Sequence, residues 1–174
     1  KLKGINFNQT VEERFAYVRE RVQELKKVGN YKEALQGMKV ALSLDPQNSI
    51  LLFLRGSVLY ESGHKREGLN LMQFVMEKNE EDPTLSDERI QLSLALIEYG
   101  TAKTTKEGLR ILRLASENAQ LPSYAINALV KASVEMRDFR GISGALFTLT
   151  SASEAATVAK SIKPHLEDRE LIYR

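Results

Sequence analysis

Residue types that carry most enzyme chemistry are scarce in this sequence of 174 residues. It has no cysteine, which excludes disulfides, thiolate metal sites and a cysteine nucleophile. Its two histidines, His64 and His165, are far apart in the chain, and neither has a neighbouring residue pattern that indicates a metal site or a general base. The glycine-rich phosphate-binding patterns and the His-Glu-x-x-His zinc pattern are missing as well. We therefore expect a protein that is not an enzyme and that needs no metal or cofactor.

Two weaker candidates for chemistry have simpler explanations. The segment 61–90 contains eight acidic and four basic residues, but it lacks the glycine and the ligand spacing of a calcium loop. We interpret it as a solvated loop between helices. Ser151 and Lys160 resemble a serine–lysine pair, but Ser151 with Glu154 is fully explained as a helix N-cap.

Composition and charge favour a folded chain without a strong bias toward charged partners. The chain is 43% hydrophobic and 28% charged, with a net charge of +2, so it can bury a core. The cations Lys106, Arg110 and Arg113 share one helix face, but nucleic-acid binding would require aromatic residues interleaved with them. We favour a solvated face and expect no nucleic-acid partner.

No apolar run approaches the roughly 18 residues that a membrane helix needs. We therefore expect no membrane span, although a tether outside these residues stays open. Because the chain begins at Lys1 without a methionine, we expect a processed chain or an excised fragment. The sequence does not distinguish a cytoplasmic from a periplasmic location.

The elements that position these residues are predicted to be helices. Apolar residues recur at i, i+3, i+4 and i+7, and strand-type alternation is nearly absent. Capping patterns recur at Thr10–Glu13, Asn30–Glu33, Thr104–Glu107 and Ser151–Glu154. Nine helices are predicted, near 10–28, 31–44, 48–62, 65–79, 85–101, 105–118, 122–136, 139–150 and 152–163.

The helices pair into hairpins, and their motifs are those of a repeat. Gly29 is followed by Asn-Tyr-Lys-Glu-Ala-Leu, and Asp45-Pro46 closes the first unit. Gly63 follows Gly29 by 34 residues, while Gly56 and Gly68 provide small residues where paired helices touch. This pattern resembles the tetratricopeptide repeat. The resemblance is strong over 15–82, moderate over 84–121 and weak beyond, and the connection at Gly100 fits the repeat only after a shift of three residues.

The resemblance implies an all-α, right-handed superhelical solenoid of about four helical hairpins in a single domain spanning 1–174. The implied units are approximately 10–46, 47–83, 84–121 and 122–150, followed by a capping helix over 151–164.

The resemblance also implies a binding groove lined by the first helix of each hairpin. The residues that map to its contact positions are Arg19, Gln23, Lys26, Phe53, Ser57, Tyr60, Tyr124, Asn127 and Lys131. Cations beside aromatic residues suit an acidic, partly hydrophobic peptide. The alternative for Phe53 and Tyr60 is a place in the core between repeats. Arg19, Gln23 and Ser57 stand where the family's clamp for a C-terminal carboxylate has lysine and asparagines, which argues against a clamp of that kind.

The sequence therefore favours a non-catalytic scaffold or adaptor that binds a protein or peptide in its concave groove, with a bacterial envelope or secretion assembly as the preferred setting. A chaperone for an exported substrate and a regulatory domain of a larger enzyme remain the alternatives.

Overall fold

The computed structural model describes residues 10–118 and 121–136, together with the single helical positions Ala156 and Lys160. Over these residues the chain is all-helical and contains no strand. The helices are α1 (Val11–Lys27), α2 (Tyr31–Leu44), α3 (Ser49–Glu61), α4 (Lys65–Lys78), α5 (Ser86–Tyr99), α6 (Ala102–Asn118) and α7 (Ser123–Glu135), with a short 3-10 turn at Pro83–Leu85. These confirm the first seven predicted helices to within three residues at each end. The predicted helices 139–150 and 152–163 lie outside the described ranges.

Side-chain caps begin the first helices where the sequence predicts them. At α1 the Thr10 hydroxyl accepts a hydrogen bond from the Glu13 amide at 3.2 Å, and the Glu13 carboxylate accepts one from the Thr10 amide at 2.8 Å. Asn30 caps α2 by accepting from the Glu33 amide at 3.4 Å. Such caps satisfy amides that have no partner within the helix.

The predicted cap of α6 at Thr104–Glu107 is wrong, because that helix begins three residues earlier. The Thr101 hydroxyl accepts from the Thr104 amide at 3.2 Å, and the Thr104 hydroxyl accepts from the Thr101 amide at 3.1 Å. The Thr104 hydroxyl thus accepts the hydrogen bond from the N-cap amide that a glutamate side chain accepts in a capping box. Glu107 is instead bound by Arg110.

Left-handed glycines separate the helices of three successive hairpins. Gly29, Gly63 and Gly100 have φ angles of 70°, 97° and 81°, which side chains with a Cβ rarely adopt. After α1 the Asn30 amide donates to the Leu25 carbonyl at 2.8 Å, in the bond of a Schellman motif. The predicted turn positions Gly29 and Gly63 are confirmed.

The chain divides into two compact units, Lys1–Leu85 and Ser86–Arg174. In the first, α1 packs on α2, α2 on α3 and α3 on α4, and α1 also contacts α3. In the second, α5 packs on α6, α6 on α7, and α5 also contacts α7. Each unit has its own apolar core, and the central residues are Val22, Met38, Leu51 and Val58 in the first and Leu109, Leu112, Ile126 and Leu129 in the second.

Small residues let the helices of a hairpin approach closely. A Cβ placed on Gly68 of α4 would lie 2.5 Å from the Gly56 carbonyl oxygen and 2.5 Å from the Tyr60 amide of α3. In the next hairpin a Cβ on Gly108 of α6 would lie 2.6 Å from the Ser93 carbonyl oxygen of α5. The first of these contacts fixes α3, which carries the predicted site residues Phe53, Ser57 and Tyr60.

Candidate functional site

The exposed face of α1 carries two of the predicted binding residues. Arg19 and Gln23 are both exposed, as is Ala16, and spacings of three and four residues place them on one side of the helix. The opposite side packs Val18, Val22 and other apolar residues into the core of the first unit. We call Ala16, Arg19 and Gln23 the α1 stripe; it offers one guanidinium and one amide to a partner.

Lys26 continues this face but is already engaged within the protein. Its ammonium nitrogen lies 2.8 Å from a carboxylate oxygen of Glu61 and donates to the Ser57 hydroxyl at 2.8 Å. Its side chain is only 10% exposed, whereas that of Glu61 is 40% exposed. Lys26 therefore ties the last turn of α1 to the last turn of α3, instead of projecting into water as a groove cation.

Three of the predicted groove residues are buried. Phe53 and Tyr60 are 2% and 6% exposed, and Ser57 is buried beside Lys26. Helix α3 packs against α1, α2 and α4, so little of its surface faces water. Phe53 and Tyr60 therefore occupy the core position that the sequence left open as their alternative. Lys65 lies 5.1 Å from the centre of the Tyr60 ring, in a cation–π arrangement.

The remaining predicted residues form a row on α7 that is exposed at its two ends. Tyr124 is 60% exposed, Asn127 is half-buried and Lys131 is exposed. Their spacing of three and four residues places them on one helix face. The opposite face is buried through Ala125, Ile126, Leu129 and Val130. We call Tyr124, Asn127 and Lys131 the α7 stripe; it combines an aromatic ring, an amide and a cation.

The basic face of α6 is partly neutralised within the helix. Arg110 makes a bidentate contact with Glu107, with the shortest nitrogen–oxygen distance at 2.7 Å. This hydrogen bond lowers the pKa of Glu107, and partial burial opposes it. Lys106 is exposed and Arg113 is half-buried. The face therefore presents less net positive charge than the sequence indicates.

The local geometry of His64 does not produce an activated nucleophile. Its Nδ1 lies 3.2 Å from the Ser62 hydroxyl, and that hydroxyl donates at 2.9 Å to the Leu59 carbonyl. Since the serine proton points to a backbone carbonyl, the imidazole is not placed to remove it. The contact joins residues two apart in the turn before α4, and His64 is exposed there.

Two features of the site were not predicted from the sequence. Glu61 was not identified as the partner of Lys26, because their separation of 35 residues shows nothing until α1 and α3 are packed together. Ser133 of α7 is fully buried, and its hydroxyl has no hydrogen-bond partner. Nothing in the residues around Ser133 in the sequence distinguishes it from a serine with a satisfied hydroxyl.

Over residues 10–118 and 121–136, no three histidine, aspartate or glutamate side chains lie close enough together to hold a metal ion. Within the same ranges, no helix is both long and apolar enough to cross a membrane. The chain matches no protein-family model, and no curated protein matches it significantly.

Proposed function

We propose that this chain is a non-catalytic binding module of tetratricopeptide-like hairpins that holds a protein or peptide partner on its A helices. The A helices are the first of each hairpin, namely α1, α3, α5 and α7. Left-handed glycines between paired helices, and contacts of α1 with α3 in one unit and of α5 with α7 in the other, fit stacked helical hairpins within each unit, and the right-handed superhelical stack is what the tetratricopeptide resemblance implies. In such a stack the A helices line the concave surface.

The exposure of Tyr124 is the observation that carries this proposal. The residue is 60% exposed, on a helix whose opposite face is buried. An exposed tyrosine offers a large apolar surface and a hydroxyl at low entropic cost, which is why tyrosine is enriched at binding hot spots. Asn127 and Lys131 beside it supply hydrogen bonds and charge.

The α1 stripe supports the same function with different chemistry. Arg19 provides a planar guanidinium that suits a carboxylate, and Gln23 can both donate and accept. A partner with acidic and apolar groups would satisfy the two stripes, whether or not one molecule reaches both. Phe53 and Tyr60 serve this function indirectly, because they are buried in the framework that holds the A helices.

Binding to peptides selected from a random library tests the α7 stripe. We expect Tyr124→Ala to weaken binding by about 2 kcal/mol, or roughly thirtyfold, mainly through faster dissociation. The matched control is Phe74→Ala, which removes an exposed aromatic side chain from the B helix α4. Circular dichroism on the same samples separates loss of binding from loss of folding.

In the same assay Arg19→Ala should cost less, about 1 kcal/mol or below, and should mainly slow association at low salt. Arg66→Ala removes an exposed arginine from α4 and is the matched control. If folded Tyr124→Ala and Arg19→Ala both bind as tightly as the parent, the stripes are not the site. The basic face of α6 with Lys106 would then be the next surface to test.

A further inference from the structure

The second helix of each hairpin, here called the B helix, carries an exposed apolar residue at a fixed position. The described B helices are α2, α4 and α6, and they can be aligned on a buried small residue: Ala34, Gly68 and Gly108. Six positions later each has an apolar residue that is about half exposed: Val40 at 48%, Phe74 at 47% and Leu114 at 46%. Isolated exposed apolar residues are common on protein surfaces, but scattered exposure does not account for the same position in three helices.

Each B helix also carries an exposed cation at a fixed position. Two residues before the aligned small residue stand Lys32, Arg66 and Lys106, all of them exposed. The cation and the apolar residue of one helix are therefore eight positions apart, which is about 12 Å along the axis and two turns plus about 80° around it. Both lie on the same half of the helix, so each B helix has the same cation–apolar pair on its exposed side.

Phe74 shows what surrounds the apolar member of such a pair. The Lys78 ammonium lies 4.6 Å from the centre of the Phe74 ring, in a cation–π arrangement that still leaves the residue 47% exposed. Glu67 and Glu77 are exposed on the same face, seven residues before Phe74 and three residues after it. The aromatic ring is therefore bordered by charges of both signs.

The charges on α2 and α4 indicate which kind of partner fits this face. Their exposed charged residues are five basic and two acidic, a net charge of +3: Lys32, Lys39, Lys65, Arg66, Lys78, Glu67 and Glu77. A second copy of the chain would bring two positively charged faces together, so the charge favours an acidic partner. An anionic membrane would meet Glu67 and Glu77 beside Phe74, whereas a protein segment can place its carboxylates at the cations alone.

We propose that the B helices form a second docking surface, which receives an acidic amphipathic helix of a partner protein. On α4, an apolar side chain of that helix covers Phe74, and a carboxylate seven or eight positions away pairs with Arg66. A helix fits because its own rise reproduces the spacing of the pair. The inference goes beyond the proposed function, because α2, α4 and α6 contain no residue of the α1 stripe or the α7 stripe.

Selection from a displayed library of helical peptides, randomised on one face, tests this surface. The target is the double variant Arg19→Ala/Tyr124→Ala, which lacks the main side chains of both stripes, and melting curves establish that it is folded. The selected peptides are then titrated against the same protein with Phe74→Ala or Arg66→Ala added. Tyr99→Ala and Arg55→Ala are the matched controls, since they remove an exposed aromatic ring and an exposed guanidinium from the A helices α5 and α3.

We expect the selected peptides to be enriched in pairs of an acidic and a large apolar residue that are seven or eight positions apart. Phe74→Ala should weaken their binding about tenfold, as loss of an aromatic contact does. Arg66→Ala should weaken it about threefold, and this loss should shrink at high salt because the ion pair is exposed. Tyr99→Ala and Arg55→Ala should leave the affinity unchanged.

The inference would be overturned by a selection that yields no binder, or by peptides that keep their affinity for Phe74→Ala and Arg66→Ala. Peptides without an acidic preference would overturn it as well. If the parent binds phosphatidylserine vesicles and Phe74→Ala abolishes that binding, the face belongs to a membrane and not to a helix. If sedimentation equilibrium shows self-association that Phe74→Ala abolishes, a second copy occupies the face.

These outcomes are separate from those of the proposed function. The target of the selection lacks Arg19 and Tyr124, so its result does not depend on either stripe. In the parent protein, a peptide that loses affinity on Tyr124→Ala but not on Phe74→Ala occupies the α7 stripe. The opposite pattern identifies the surface of the B helices.

Discussion

Two buried serines show how differently the same residue type is accommodated in this protein. Ser93 of α5 is fully buried, and its hydroxyl donates to the Ile90 carbonyl at 2.6 Å. Ser133 of α7 is equally buried, but its hydroxyl has no partner. A buried hydroxyl without a hydrogen bond loses its interactions with water and gains nothing in exchange.

We therefore expect Ser133→Ala to stabilise the protein by about 1 kcal/mol, since it removes an unsatisfied hydroxyl and introduces a better helix former. Ser93→Ala should be near neutral, because the lost hydrogen bond offsets the gain in helix propensity. Denaturant unfolding of the two variants and the parent measures the difference. A Ser133→Ala protein less stable than the parent would show that the hydroxyl contributes a favourable interaction.

At the scale of helices, glycine contacts set how closely α3 and α4 approach. The nearest atoms to a Cβ on Gly68 belong to backbone, at 2.5 Å, so the helices themselves would have to move. The nearest atom to a Cβ on Gly56 is Cγ of Met72, at 2.7 Å, and the nearest backbone atoms, the Gly68 carbonyl oxygen and the Met72 amide nitrogen, are farther away, at 3.0 and 3.2 Å. The two glycines face one another, but they do not tolerate a methyl group equally.

We expect Gly68→Ala to lower the free energy of unfolding by about 1–3 kcal/mol, as overpacking a close contact does. Gly56→Ala should cost less, because its closest contact is with a side chain and its backbone contacts are 3.0 Å or longer, whereas alanine gains the same helix propensity at both positions. Asn70→Ala, on the exposed side of α4, is the control. If Gly56→Ala proves the more damaging of the two, the close approach is not limited by the backbone contact at Gly68.

Helix α6 shows why the third hairpin fits the repeat only after a shift of three residues. Helices α2 and α4 each have 14 residues, whereas α6 has 17. Gly68 lies five residues after the turn glycine Gly63, but Gly108 lies eight after Gly100. Three residues rotate a helix by about 300°, which returns Gly108 to within about 60° of the same face. The additional residues therefore lengthen the helix and still direct its glycine toward α5.

At the scale of the whole chain, the division into two compact units with separate cores has a consequence for local stability. The main apolar cluster of each unit is built from that unit's own helices, α1 to α3 in the first and α5 to α7 in the second. A substitution that destabilises one hairpin should therefore lower local stability within its own unit more than in the other unit.

Hydrogen exchange measured along the chain tests this expectation. Gly68→Ala should reduce amide protection in α3 and α4 more than in α5 and α6. Gly108→Ala, whose Cβ would lie 2.6 Å from the Ser93 carbonyl oxygen, should do the reverse. Equal losses in both units for each variant would mean that the two units unfold as a single cooperative body.

The sequence by itself determined where the helices lie and how the hairpins turn. Apolar spacing, the caps at Thr10 and Asn30 and the glycines Gly29 and Gly63 act over a few residues, so they can be recognised without knowledge of the fold. The helix boundaries over 10–118 and 121–136 follow from such local signals. The start of α6 was predicted three residues too late, because the cap of this helix has threonine, at position 104, in place of the glutamate of a standard capping box.

Only the tertiary structure decided which of the predicted binding residues are available to a partner. Arg19 and Lys26 lie two turns apart on one face of α1, yet Arg19 is exposed while Lys26 is drawn onto Ser57 and Glu61 of α3. Phe53 and Tyr60 likewise share a face and are both covered. Helical periodicity indicates which residues share a face of a helix. Whether that face is buried depends on residues that are distant in the sequence and pack against it. Exposure therefore depends on how the helices pack, and a single helical pattern does not contain that information.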